Sequence, residues 1–138
     1  MKCLKILIAV FLIYSLSACG QTSKNKSQQK ITTMDINKIS NNTVRAAFEA
    51  WQKGDATLWL SYFTNDAKLL DDGHTRDFRK FSTEAIGHER FTSIDSVTDN
   101  GQSVYGQFHS DTWGNFRTYF KFHINAEGKI YLLEIGQA

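Results

Sequence analysis

The chain contains no proline, which excludes proline-rich linkers and any slow X-Pro isomerisation. Cysteine is nearly as scarce: Cys3 and Cys19 are the two present, and both lie among the first twenty residues. The rest of the chain therefore has no disulfide of its own, no thiolate metal ligand and no thiol nucleophile. Charge of neither sign dominates, with 16 Lys and Arg against 14 Asp and Glu. A strongly basic or acidic partner is not implied. Also missing are a helical H-E-x-x-H pair, a glycine-rich phosphate loop and a G-x-S-x-G elbow. His74, His88, His109 and His123 show no i, i+4 spacing, so no metal and no cofactor is expected. At 138 residues, one ordinary domain is all the chain can hold once a tail is subtracted.

What is present begins with a targeting pattern. Lys2 and Lys5 precede an apolar run over residues 4–16, followed by Ser17, Ala18 and Cys19. Thirteen helical residues span roughly 20 Å, short of a ~30 Å hydrocarbon core, so a permanent membrane helix is disfavoured. Leu16-Ser17-Ala18-Cys19 resembles the lipobox of bacterial lipoproteins. The resemblance implies cleavage before Cys19 and acylation of that residue, giving a lipid-anchored protein of the bacterial cell envelope. Each buried CH₂ contributes about 0.8 kcal/mol, and stable anchoring takes more than one chain. An ordinary cleaved signal peptide with an incidental cysteine is the other reading. No acidic residues directly follow Cys19, and the default expectation is a periplasm-facing protein. Residues 1–18 are thus read as signal peptide and 19–40 as a polar, lysine-bearing tether with little apolar surface to bury.

Residues 41–138 carry 10 basic and 13 acidic groups, a balance that argues against nucleic-acid binding. Asn41 and Asn42 can cap a helix that ends at Gly54, with Val44, Ala47, Phe48 and Trp51 forming one stripe. Asp55 can cap a second helix over 56–63. Residues 67–70 predict a short strand, 71–73 a turn, 74–77 its return, and 78–87 a third helix. Beyond Glu89 the period changes to two. Strands are expected over 90–98, 103–111, 116–124 and 129–136, an antiparallel meander. In the last hairpin, pairing Ile124 with Lys129 sets Phe122 opposite Tyr131, Phe120 opposite Leu133 and Thr118 opposite Ile135. One face of that sheet is apolar, and only the helices can cover it.

Helices followed by a long meander describe an α+β cone, and particular residues carry a resemblance. Phe48-x-x-Trp51-x-x-Gly54-Asp55, the stretch Tyr62-Phe63-Thr64-Asn65-Asp66-Ala67, and Gly128-Lys129-Ile130 within the last hairpin resemble the nuclear transport factor 2-like superfamily, SnoaL-like branch. The resemblance covers nearly all of residues 42–136. It implies N-terminal helices packed on a curved antiparallel sheet, a pocket between them, and a homodimer through the sheet's outer face, with Tyr119, Lys121, Leu132 and Glu134 at the contact. In the superfamily's ketosteroid isomerases a carboxylate abstracts a proton while two donors stabilise the enolate. The matching positions here are Asp71 for the base and Ala47 and Phe120 for the donors. Neither Ala nor Phe can donate, so that isomerisation is not expected.

Two readings of Asp71 stand side by side: a desolvated general base, assisted by His74, or a turn aspartate bonding its own backbone. Trp51, Trp59, Tyr62, Phe63, Phe81, Phe108, Phe120, Phe122 and Tyr131 either wall an apolar cavity or simply fill the cone. Trp113, in a Thr-Trp-Gly turn, is expected to be exposed and suited to a partner or headgroup contact, or else folded over the sheet. The functional expectation is non-catalytic binding of a small apolar or amphipathic ligand, or of a protein partner. The alternatives are a SnoaL-like isomerase, cyclase or dehydratase using Asp71, and a structural dimerisation module.

Overall fold

The computed structural model describes residues 34–138; the expected signal peptide, Cys19 and most of the expected tether lie outside the described residues. A 3₁₀ turn (Ile36–Lys38) leads into helices α1 (Asn42–Lys53) and α2 (Ala56–Ser61), strands β1 (Phe63–Asp71) and β2 (His74–Arg76), and helix α3 (Phe78–Ala85). Strands β3 (Glu89–Phe91), β4 (Ser96–Thr98), β5 (Ser103–Ser110), β6 (Gly114–Ile124) and β7 (Ile130–Gln137) complete it. One seven-stranded sheet results, in the order β2-β1-β7-β6-β5-β3, with β4 also paired to β5. The α+β architecture is the expected one, helices covering one face of a curved sheet.

Each helix starts where a short polar side chain accepts from an otherwise unpaired amide. Asn41 Oδ1 accepts from Val44 N, Asp55 Oδ1 from Leu58 N, and Asp77 Oδ1 from Lys80 N. The stripe Val44, Ala47, Phe48 and Trp51 is wholly buried. Trp51 lies 5.2 Å from Phe120 in an edge-on contact, which joins α1 to the sheet. Trp59 is fully buried, and its indole N–H donates to Ser82 Oγ at 3.0 Å, tying α2 to α3.

Six expectations are corrected. Residues 34–40 pack on the domain: Ile39 is fully buried and Lys38 Nζ donates to the Ile94 carbonyl, so the boundary falls before residue 41. Helix α2 ends at Ser61 because Phe63 already pairs, parallel, with Ile130 on β7. Strand β1 is correspondingly longer than 67–70, held in place by a neighbour distant in sequence. Asp77 belongs to the α3 cap and not to the β2 strand.

The fifth correction concerns register. Phe122 pairs with Leu133, Phe120 with Ile135 and Thr118 with Gln137. Ile124 pairs with Ile130 where Lys129 was expected, a shift of one residue, and an irregularity between His123 and Ile124 adds the second. It turns Ile130 inward and leaves Tyr131 exposed, 6.2 Å from the His123 ring on the outer face.

The expected strand over 90–98 is broken into β3 and β4. Between them Thr92 N and Ser93 N both donate to the Gln107 carbonyl, and Asp95 N donates to that of Tyr105. The crossing passes over Gly106, where an added Cβ would stand 1.9 Å from the Ser93 carbonyl oxygen. Only glycine leaves room for that approach.

Candidate functional site

A cavity of about 520 Å³ opens on one side between α3 and the inner face of the sheet. Helix α3 supplies Phe81, Glu84 and Ala85, positions i, i+3 and i+4 on one face. The β5–β6 hairpin supplies the cross-strand pair Phe108 and Phe116, whose rings are 5.5 Å apart, with Thr112 and Trp113 from its turn. Thr118 and Phe120 of β6 and Ile135 of β7 form the floor. Asp71, Asp72, Arg76 and Glu89 line the remaining wall.

The expected aromatic lining divides in two. Phe81, Phe108 and Phe120 border the cavity. Trp51, Trp59, Phe63 and Phe122 are buried behind it as core, Tyr62 is half-buried at its edge, and Tyr131 is on the other side of the sheet. Trp51 nevertheless backs the site, stacked 5.7 Å from Phe81. Its indole N–H is buried without an acceptor among the described residues. Asp71, Asp72, Arg76, Glu84 and Glu89 line it beside the rings. The hollow is amphipathic and not simply greasy.

Asp71 lines the cavity at the end of β1, and Arg76 Nη1 donates to its Oδ2 at 2.5 Å across the β1–β2 hairpin. That ion pair neutralises the carboxylate where a free general base would be needed. Asp72 has left-handed backbone, φ 46°, in the β1–β2 turn, and its Oδ1 accepts from Gln137 N on β7; neither carboxylate bonds its own turn's backbone among the described residues. His74 is exposed on edge strand β2 and does not line the cavity. Ala47 is fully buried in α1, and Phe120 presents a ring where the isomerases hold a donor.

The carboxyl group the sequence reading missed is Glu89. It opens β3, lines the cavity and accepts from Ser110 Oγ at 3.0 Å. Burial pushes it up from the ordinary carboxylate range, against the lowering effects of the Ser110 hydroxyl and the Arg76 charge. No motif surrounds Glu89 in the sequence. The pairing Glu89↔Ser110, which places it, exists only after β3 has folded onto β5.

Two histidines flank the same end of the site. His88 Nδ1 lies 3.1 Å from Asp111 Oδ2, and His109 Nε2 lies 3.4 Å from Asp111 Oδ1. The hydrogen bond from His88 is the main reason the Asp111 carboxyl is held below its usual range. These three share one exposed surface, and no cluster fit to hold a metal ion occurs among the described residues. The outer sheet face carries Tyr119, Lys121, Leu132 and Glu134 as expected of alternation. Lys121 Nζ lies 5.0 Å from the Tyr119 ring centre, and His123 pairs with Glu134 at 2.6 Å.

No protein-family model and no curated protein matches the chain. Solved structures do match in fold. A nuclear transport factor 2-like protein of unknown function from Cytophaga hutchinsonii superposes with a TM-score of 0.58 at 8% identity, over 72% of this chain and 89% of that one. An uncharacterized cystatin-fold protein from Novosphingobium aromaticivorans gives 0.55 at 17% identity, over 70% and 96%. The orange carotenoid protein of Anabaena (Nostoc), solved binding canthaxanthin, gives 0.56 at 19% identity, over 70% of this chain but 35% of that longer one. The described domain thus has the nuclear transport factor 2-like, cystatin-like fold. At these identities the likeness speaks of architecture alone.

Proposed function

We propose that the domain binds a small amphipathic ligand in the cavity beside α3, without catalysis, while a lipid on Cys19 holds the protein to the bacterial envelope facing the periplasm. One observation carries the binding reading: a half-open hollow of about 520 Å³ with rings on its floor and carboxyl groups on its wall. That volume is in the range of small-molecule sites, roughly 300–1,000 Å³. A protein sharing this fold over part of its length is solved with canthaxanthin bound, which supports the capacity of the architecture for an apolar molecule. The anchor is supported by the order of lysines, apolar run and Leu16-Ser17-Ala18-Cys19.

The test is native mass spectrometry of the full chain released from membranes. A retained small molecule, lost when Phe116→Asp puts a charge on the half-buried lining of the cavity, is the expected result. Palmitate labelling that disappears in Cys19→Ser checks the anchor separately. A second reading, general acid–base chemistry, is favoured by Glu89 in place of Asp71, because Glu89 is the half-desolvated carboxyl on the cavity wall. The outer sheet face, with Tyr119, Lys121, Leu132 and Glu134, is the surface through which a homodimer would form; charge reversal at Lys121 should dissociate it in sedimentation.

A further inference from the structure

The cavity's charge selects its ligand. Four carboxyl-bearing residues line it, Asp71, Asp72, Glu84 and Glu89, against the single guanidinium of Arg76, and no lysine or histidine is among the lining residues. Arg76 is already engaged by Asp71. The same guanidinium carbon stands 5.1 Å above the centre of the Phe81 ring, so this wall already accommodates a cation over an aromatic face. We infer that the ligand carries a cationic amine head directed at Glu89 and an apolar, ring-sized body seated on Phe108, Phe116 and Phe120.

The inference rests on the cavity being a ligand site, and adds the sign of the ligand's charge. An anionic head entering here would meet Glu89 on the wall, whose only nearby cation, Arg76, is already paired with Asp71, and Glu84 at the exposed rim. A neutral ligand would leave Glu89 partly desolvated with the Ser110 hydroxyl as its only side-chain hydrogen-bond partner among the described residues. An ammonium group removes both penalties, since opposite charge stabilises the ionised form of a buried carboxyl. The charged groups acting on Glu89 are Arg76 and Asp71 from the β1–β2 hairpin and Asp111 just past the end of β5. Only one of these is cationic.

Three naphthalene compounds of one shape separate the possibilities: 2-(1-naphthyl)ethylamine, 1-naphthaleneethanol and 1-naphthylacetate. Each is titrated calorimetrically into the full chain in phosphatidylcholine nanodiscs, with empty discs subtracted. The ammonium should bind at least about tenfold more tightly than the alcohol, and the carboxylate weakest, as one partly desolvated charge pair predicts. Glu89→Gln should cut the ammonium-to-alcohol ratio to within about threefold, and Glu84→Gln, at the exposed rim, should lower it less. Raising salt should shrink the ratio further in the wild type. Equal binding of all three, or a preference for the carboxylate, would overturn the charge inference while leaving the cavity a ligand site. Failure of all three to bind would overturn both.

Discussion

Replacing Gly106 by alanine tests the feature that breaks the β3–β4 edge. Its backbone is not among the glycines of positive φ, so alanine meets no conformational barrier there and any effect is steric. An added Cβ would lie 1.9 Å from the Ser93 carbonyl oxygen and 3.2 Å from Phe91 Cδ1. Relief requires the crossing over residues 92–95 to lift by more than about 1 Å, since ordinary Cβ contacts begin near 3.4 Å. The crossing is pinned by Thr92 N and Asp95 N, each 2.8 Å from a carbonyl of β5. Losing both bonds at about 1 kcal/mol each, with overpacking of about 1 kcal/mol or more, gives a destabilisation of roughly 3 kcal/mol. For a domain near a hundred residues that is a fall in Tm of roughly 12–24 °C.

The control is Gly114→Ala, where φ is +75° and nothing lies within 4 Å of the new methyl, so only left-handed strain of about 1 kcal/mol applies. Thermal melts followed by far-UV circular dichroism, with urea titrations to check that m is unchanged, measure both variants. A Gly106→Ala melt no lower than that of Gly114→Ala would refute the steric account. It would also remove the reason offered for two short strands where alternation predicts one.

Ser82→Ala leaves the buried Trp59 indole N–H without its acceptor at 3.0 Å, and a loss of about 1–3 kcal/mol is expected in urea denaturation, with Ser82→Thr retaining most of it. Glu89→Gln has an effect whose sign depends on pH. The folded-state pKa is raised, so the native contribution of Glu89 is most favourable below its unfolded value and declines as pH rises through the folded value. The glutamine variant should therefore melt above the wild type near pH 7 and converge with it toward about pH 3.5; a lower melt at neutral pH would contradict the desolvation reading. Trp51 and Trp59 are 1% and 0% exposed while Trp113 is 78% exposed at the cavity rim, so iodide should quench chiefly Trp113. Quenching should vanish in Trp113→Phe and diminish when the naphthylethylamine is bound.

Much of the fold was readable from local chemistry. The caps Asn41 and Asp55, the stop at Gly54 and the stripe from Val44 to Trp51 announce α1 and α2 without reference to anything distant. Turn residues likewise mark where β5, β6 and β7 begin and end. The errors cluster where a partner far along the chain decides. Helix α2 shortens because Phe63 is drawn to Ile130, and the last hairpin slips because of an irregularity that alternation cannot reveal. Strand β3 parts from β4 because Gly106, more than ten residues later, is where the crossing passes. In each case a neighbour far along the chain, which local pattern does not show, decides where the element begins or ends.

The site was less legible than the fold, and the reason lies in how its charges are set. Asp71 stood out because a turn and a family likeness surround it, yet its environment is made by Arg76, five residues on and across a hairpin, which holds it as half of an ion pair. Glu89 stood out in nothing. It follows a glycine and a histidine, in a stretch that reads only as the approach to a strand. Its character comes from three separate elements: β5 gives Ser110, α3 gives the cover of Phe81 and Ala85, and the β1–β2 hairpin gives an arginine already occupied. Desolvation is a property of the assembled space, so a carboxyl it perturbs carries no local mark. A carboxyl held partly out of water lowers stability at neutral pH, as the Glu89→Gln melt would measure. Its place on the wall of the one aromatic-floored hollow described makes a cationic head the occupant that would restore what burial removes.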